Sequence, residues 1–321
     1  MKALVFAAGL GTRLGDLTRD MPKALVPVGG EPMLGRVLRK LKAAGFCDVV
    51  VTACYKADMI ERWLAETRGG MNIALSVEPG PEPFETGGGI KFARPLLEGD
   101  EPFLVHNVDI LSDADLAAFA AGCGELSPSS GVRPSGSPHR LPTVPPLPCR
   151  GWQVPQREQL PTARSLSTAN PLATLLVTDP RPQDYRFFLF RPADMRLMGW
   201  TNTRTGEVRG FVRGADGADS ATGDAPGGLA GNSKENAPSV AELRKMSFTG
   251  IHMISPAIFP LLESWPDRFS ITDFYIETAS RMAYEPDCPA IYGIPAPGLH
   301  IIDIGSPETL AEAERVLSCQ R

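Results

Sequence analysis

The stretch that decides the fold is Lys2-Ala3-Leu4-Val5-Phe6-Ala7-Ala8-Gly9-Leu10-Gly11-Thr12-Arg13-Leu14. Ala3 to Phe6 is a short unbroken apolar run, the pattern of a strand covered on both faces. It leads straight into Gly9-Leu10-Gly11, where glycines let an anion approach the main chain and meet exposed backbone N–H groups. Two common phosphate motifs are excluded. The dinucleotide fingerprint G-x-G-x-x-G needs a glycine where this chain has Leu14, and the Walker loop G-x-x-x-x-G-K-[ST] is absent. After the glycines come Arg13 and then Met21-Pro22-Lys23-Ala24-Leu25, with Pro22 restricting the backbone just before Lys23. An arginine and a fixed lysine supply the positive charge that a polyphosphate requires before an anion can attack its phosphorus.

Outward from this stretch, strand-like and helix-like segments alternate as far as residue 121. Pro32–Ala44 places Leu34, Val37, Leu38 and Leu41 on one helical face and ends at Gly45; Asp48–Ala53 and Asn72–Val77 read as strands around a helix at Ala57–Glu66. Ile90–Leu97 reads as a helix, Phe103–His106 as a strand and Asp113–Ala121 as a short helix. That alternation predicts βαβ units, hence a doubly wound, Rossmann-like α/β domain with a mixed, mainly parallel sheet. The pattern breaks at about 122–168, which holds nine prolines, five glycines and seven serines, and again at about 213–239, rich in glycine and alanine. Both are expected to be flexible, dispensable insertions into one domain spanning 1–321. Strands resume at Leu172–Val177, Arg186–Phe190, Met195–Trp200, Phe248–Ile254 and Ala290–Ile294, with helices at Pro256–Leu262 and Ile271–Ala283.

The chain has 321 residues, 43% hydrophobic and 21% charged, with a formal net charge of −5. This is ordinary globular composition, and an acidic chain lacks the positive face of a general nucleic-acid binder. No apolar run reaches the roughly 18–20 residues of a membrane span, and the first run has only Lys2 as a basic flank, so no signal peptide is expected. The six cysteines form no C-x-x-C pair and the four histidines are scattered, which leaves no zinc pattern and implies reduced thiols in a cytoplasmic protein. Oligomeric state is not legible.

Ala7-Ala8-Gly9-Leu10-Gly11-Thr12-Arg13-Leu14 through Pro22-Lys23-Ala24-Leu25-Val26-Pro27-Val28 resembles the signature of the sugar-phosphate nucleotidyltransferases. The resemblance covers residues 1–121 and about 245–317. It implies that Gly9, Gly11, Thr12, Arg13 and Lys23 bind the nucleoside triphosphate, Arg13 and Lys23 as the catalytic phosphate-charge carriers.

Chemistry at phosphorus calls for a divalent cation on carboxylates. Leu104-Val105-His106-Asn107-Val108-Asp109 is an apolar strand with Asp109 at its carboxyl end, where open α/β sheets place ligands. Asp303 lies in Ile301-Ile302-Asp303-Ile304-Gly305-Ser306-Pro307-Glu308, in which Ser306, Pro307 and Glu308 spell a helix start: cap, first-turn proline, first-turn acid. The block is similar to the family's late Asp-(Ile/Val)-Gly-Thr-Pro-Glu segment, which implies Asp109 and Asp303 as Mg²⁺ ligands. Val108 stands where the family usually has glycine and Ser306 where it has threonine.

Glu85-Thr86-Gly87-Gly88-Gly89-Ile90 reads by itself only as a tight turn before an exposed helix N-terminus. Glu82 to Ile90 resembles the N-acetylmuramate-1-phosphate uridylyltransferase branch, where mannose-1-phosphate guanylyltransferases more often carry Gly-Thr-Ala-Gly. The resemblance implies nucleotide contact at Gly87 and sugar contact at Glu85, Thr86, Asn107 and Gly250. For Gly250 a packing role explains the residue equally well. The expected reaction is transfer of a nucleoside monophosphate, first choice from UTP, to a sugar 1-phosphate, first choice N-acetylmuramate 1-phosphate, as in cell-wall sugar recycling. Guanylyl transfer to mannose- or heptose-1-phosphate and a catalytically silent nucleotide-sugar sensor are the alternatives. His106 and His252 are expected to be structural.

Overall fold

The computed structural model describes residues 1–67, 69–124, 171–213, 237–281 and 290–319. In chain order they form β1 (Lys2–Phe6), β2 (Pro27–Val28), β3 (Glu31–Pro32), α1 (Met33–Ala43), β4 (Asp48–Ala53), α2 (Ala57–Thr67), β5 (Asn72–Val77), α3 (Glu85–Phe92), α4 (Arg94–Leu97), β6 (Phe103–Asn107), β7 (Ile110–Ser112) and α5 (Leu116–Gly124). Then come β8 (Ala173–Thr178), β9 (Arg186–Phe190), β10 (Leu197–Asn202), β11 (Val208–Gly210), β12 (Arg244–Ile254), α6 (Ile258–Leu262), α7 (Ile271–Arg281), β13 (Ile291–Pro295), β14 (Ile301–Asp303) and α8 (Pro307–Ser318). Nearly all of the two segments expected to be insertions lies outside the described residues; the first few residues of the earlier one complete α5.

The central sheet is mixed. Its path is β11-β10-β9-β12-β6-β1-β4-β5, and β8 joins β12 and β13. β6, β1, β4 and β5 run parallel, as the βαβ alternation predicts. The eleven-residue β12 is antiparallel to β6 at one end and to β9 at the other, so it carries the sheet into an antiparallel extension of β9, β10 and β11. Successive residues of β1 are buried on opposite faces. Ala3 and Val5 pack with Leu34, Leu38 and Leu41 of α1 and with Ile60, Phe119 and Ala313; Leu4 packs on the other face with Ile90, Leu97, Ile258 and Phe274. This two-sided cover is why the first strand reads as continuously apolar.

One expectation is corrected. Gly87, Gly88 and Gly89 do not precede a helix; they lie within α3, which begins at Glu85. Their reason is packing. A methyl group on Gly87 would collide with the Phe269 ring, and one on Gly88 with the Asp267 carbonyl. Glycine weakens an isolated helix, and here it is the residue that lets α3 approach the 267–269 segment.

Candidate active site

β1 stops at Phe6, and the Ala7 N–H donates to Thr52 Oγ1 at 3.1 Å, which turns the chain off the sheet. Gly11 comes next with φ +67; a side chain there would stand 2.9 Å from Lys23 Cβ and Thr18 Cγ2, inside van der Waals contact. The coil after it closes on itself, since the Leu14 N–H and the Thr18 hydroxyl both donate to the Gly11 carbonyl. Gly9, Thr12 and Arg13 are left on its exposed side. Pro22 (φ −68) leads into the short turn Lys23–Leu25, whose lysine stem is buried against the Gly11 coil.

The Lys23 ammonium donates to Asp109 Oδ2 at 2.5 Å. Asp109 lies just beyond β6, whose register beside β1 is continued by a hydrogen bond from the Val108 N–H to the Phe6 carbonyl. β7 then pairs antiparallel with β14, setting Ile110 opposite Asp303, and the Ile304 N–H donates to the Asp109 carbonyl at 2.9 Å. Two carboxylates from distant parts of the chain are thereby seated side by side. The Arg13 guanidinium lies over Gly305, where a methyl would stand 2.6 Å from its nitrogen and 3.0 Å from Asp303 Oδ1. α8 starts immediately beyond, capped by the Ser306 side chain with Pro307 and Glu308 in its first turn.

Asp303 opens on solvent, yet the walls around it crowd its carboxyl. Desolvation first, and the Asp109 charge second, raise its pKa, while Lys23, Arg13 and Arg181 pull it back down. Two carboxylates brought this close, with cationic side chains beside them, are groups that could hold a divalent cation. Two hard oxygen donors, with room for phosphate oxygens, suit Mg²⁺, which takes one or two carboxylates together with substrate phosphates. Among the described residues no group of three or more His, Cys, Asp or Glu side chains could hold a metal ion.

Asn107 and Gly250 adjoin. Gly250 (φ +76) sits where the β12 register against β8 shifts, and a methyl on it would stand 2.7 Å from Asn107 Nδ2. Glu85 is held in the left-handed region, φ +62, with its carboxylate 3.5 Å from Arg268. The Thr86 hydroxyl oxygen accepts the Ile271 N–H at 3.0 Å, and the Gly87 N–H is taken by the Phe269 carbonyl at 2.9 Å. The main chain of Gly87 therefore has a structural partner already.

A cleft of about 570 Å³ extends from Asp303 along the antiparallel extension, lined by Arg181, Arg186, Trp200, Arg209 and Phe248 among others. Arg181 grips Asp184 with Nε and a terminal nitrogen, at 2.9 and 3.0 Å, and donates to the Ile301 carbonyl. Arg209 pairs with Asp273 of α7 at 2.8 Å. Sequence reading identifies neither the cleft nor its arginines. β9 and β10 are legible as strands, but β11, which carries Arg209, is not, and neither is the register that puts Phe188 and Arg209 on either side of Trp200.

His106 and His252 are fully buried, and burial pulls them down to about 4 and about 3, so neither holds a proton at neutral pH. His252 Nδ1 lies 3.0 Å from the Tyr275 hydroxyl.

Arg13, Lys23, Asp109 and Asp303 thus converge beside the glycine coil, at one end of the parallel strands. The chain matches the nucleotidyl transferase family over residues 2–129. It is 45% identical over 119 residues to N-acetylmuramate alpha-1-phosphate uridylyltransferase of Neisseria meningitidis serogroup B, covering 37% of this chain and 51% of that protein. It is 42% identical over 125 residues to a mannose-1-phosphate guanyltransferase of Gibberella zeae, covering 37% and 34%. The matched segment thus spans about half or less of these relatives. The fold is shared with HddC from Yersinia pseudotuberculosis (TM-score 0.58, 18% identity, 98% and 99% coverage) and with a UDP-glucose pyrophosphorylase (TM-score 0.61, 16% identity, 100% and 99% coverage). No helix among the described residues is long and apolar enough to cross a membrane.

Proposed function

We propose that the protein acts as a single-domain enzyme that transfers a nucleoside monophosphate from a nucleoside triphosphate to a sugar 1-phosphate, releasing pyrophosphate. The observation that carries this reading is the meeting of Arg13, Lys23, Asp109 and Asp303 beside the glycine coil. An oxygen of the sugar phosphate attacks the α-phosphorus, a new P–O bond forms, and the bond to the β-phosphate breaks with its electron pair leaving on pyrophosphate. The nucleophile is already an anion, so no general base is required; the buried neutral histidines fit that economy.

Arg13 and Lys23 hold phosphate charge on the coil side, and Lys23 exchanges its hold on Asp109 for the triphosphate. Asp109 and Asp303 would hold Mg²⁺, which when bound supplies charge neutralisation between the two phosphate groups. The sugar sits against Asn107 and Gly250, and the cleft leading to Trp200 takes its substituents. UTP and N-acetylmuramate 1-phosphate are the first-choice pair, supported by the Glu82–Ile90 segment and the Neisseria relative. A guanylyl transfer to mannose or heptose 1-phosphate is the second reading, its mannose form supported by the fungal relatives.

Pyrophosphate release from a panel of triphosphates and sugar 1-phosphates tests the proposal. Release with one pair, abolished in Asp109→Asn, supports it. Binding of nucleotide sugars without release from any pair would instead indicate a silent sensor.

A further inference from the structure

The transfer chemistry makes no use of Lys40, yet this lysine is tied to the carboxylate pair. Lys40 lies on α1, and its ammonium donates to both oxygens of Ser112, to the carbonyl at 2.6 Å and to Oγ at 2.9 Å. Ser112 ends β7 and stands opposite Ile301 at the start of β14. These strands have three residues each and pair only with one another, apart from the central sheet. So short a two-stranded ribbon has little stability of its own. Its far end carries Asp109 and Asp303, where Ile110 faces Asp303 and the Ile304 N–H reaches the Asp109 carbonyl. The ribbon therefore sets the spacing of the two carboxylates, and its near end needs a fastener. Asp113 closes that end sideways, exchanging hydrogen bonds with His300. Lys40 secures it to a helix whose Leu34, Leu38 and Leu41 are locked in the core.

The placement is costly, since burial pulls the Lys40 ammonium down to about 8 although Asp113 and Asp115 oppose the shift. An apolar side chain would pack there without that cost.

We infer that Lys40 is a positioning residue: through Ser112 it anchors the ribbon that aligns Asp109 with Asp303, and so sets the affinity of that pair for a divalent cation. The inference rests on the two aspartates being cation ligands. A merely structural lysine would affect melting temperature and leave cation affinity alone.

The test measures Mn²⁺ binding to the full-length protein by calorimetry, without nucleotide or sugar phosphate, using Asp109→Asn to identify the site. Lys40→Met keeps the aliphatic stem and removes both hydrogen bonds. It is expected to weaken Mn²⁺ binding about tenfold and to raise the half-saturating Mg²⁺ for pyrophosphate release by a similar factor, with kcat at saturating Mg²⁺ within about threefold. Lys40→Arg should recover most of the loss. Unchanged Mn²⁺ affinity in folded Lys40→Met overturns the inference. If that variant does not fold, Ser112→Ala removes one of the two acceptors, and unchanged affinity there overturns it equally. Wild-type protein that binds no Mn²⁺ overturns it together with the ligand reading, whereas wild type that binds Mn²⁺ but transfers nothing overturns the proposed reaction alone.

Discussion

Lys23 Nζ stands 2.5 Å from Asp109 Oδ2, with side chains only 9% and 22% exposed. The lysine thus neutralises the carboxylate that a divalent cation would otherwise serve. Removing one partner of a buried pair leaves the other uncompensated. Lys23→Met should lower stability by about 1–3 kcal/mol, and millimolar Mg²⁺ should raise its melting temperature more than it raises the wild type's. Melting curves with and without Mg²⁺ decide the matter; equal Mg²⁺ shifts would mean that the lysine and the cation do not share Asp109.

Asp109→Asn and Asp303→Asn keep shape and hydrogen bonding while removing charge. Each should cut kcat by at least about a hundredfold, roughly 2.7 kcal/mol in the barrier. Loss of the Asp109 charge should also lower the pKa of Asp303, because that charge is the second contribution holding it up. Activity near wild type in both variants would remove the two aspartates from the chemistry.

Gly87→Ala distinguishes packing from ligand approach. Its methyl group meets the Phe269 ring, so stability should fall by about 1–3 kcal/mol even in the absence of ligand. An unchanged denaturation midpoint together with lost nucleotide binding would return Gly87 to the ligand.

Glu85 occupies a left-handed conformation that costs a non-glycine residue about 1 kcal/mol. Glu85→Gly relieves this strain but gives up the Arg268 contact, so stability should change little. If the carboxylate touches the acceptor, KM for the sugar phosphate should rise several-fold while KM for the triphosphate holds. Parallel changes in both constants would speak for a loop-ordering role only.

The buried histidines make a signed pH prediction. His106 is held down to about 4 by burial first and the Lys40 charge second, and His252 to about 3 by burial and then by His106. Between these values and the ordinary 6.5 the unfolded chain binds more protons than the folded one. Stability should therefore fall as pH drops from 6.5 towards 4, by up to about 1.4 kcal/mol per pH unit for each histidine. Urea denaturation at pH 7 and pH 5 measures the slope, and His252→Phe should flatten it.

Local sequence determines the parallel half of the sheet and the glycine coil after β1. Both are written in neighbouring residues: unbroken apolar runs where strands are covered on both faces, 3–4 spacing on α1, Gly11 where φ is positive, and Pro22 before Lys23. Asp109 and Asp303 could each be nominated from a strand end or a helix start. Only the tertiary structure decided that they meet, because their approach depends on the β7–β14 pairing between segments far apart in the chain. It also decided that the three glycines answer to Phe269, Asp267 and Phe6 rather than to a turn. The cleft and the Lys40 anchor were illegible for the same reason. Each is made by the register of one strand against another, or by a side chain crossing between elements, and period-two or period-3.6 patterns say which face is buried but not which distant residue lies against it.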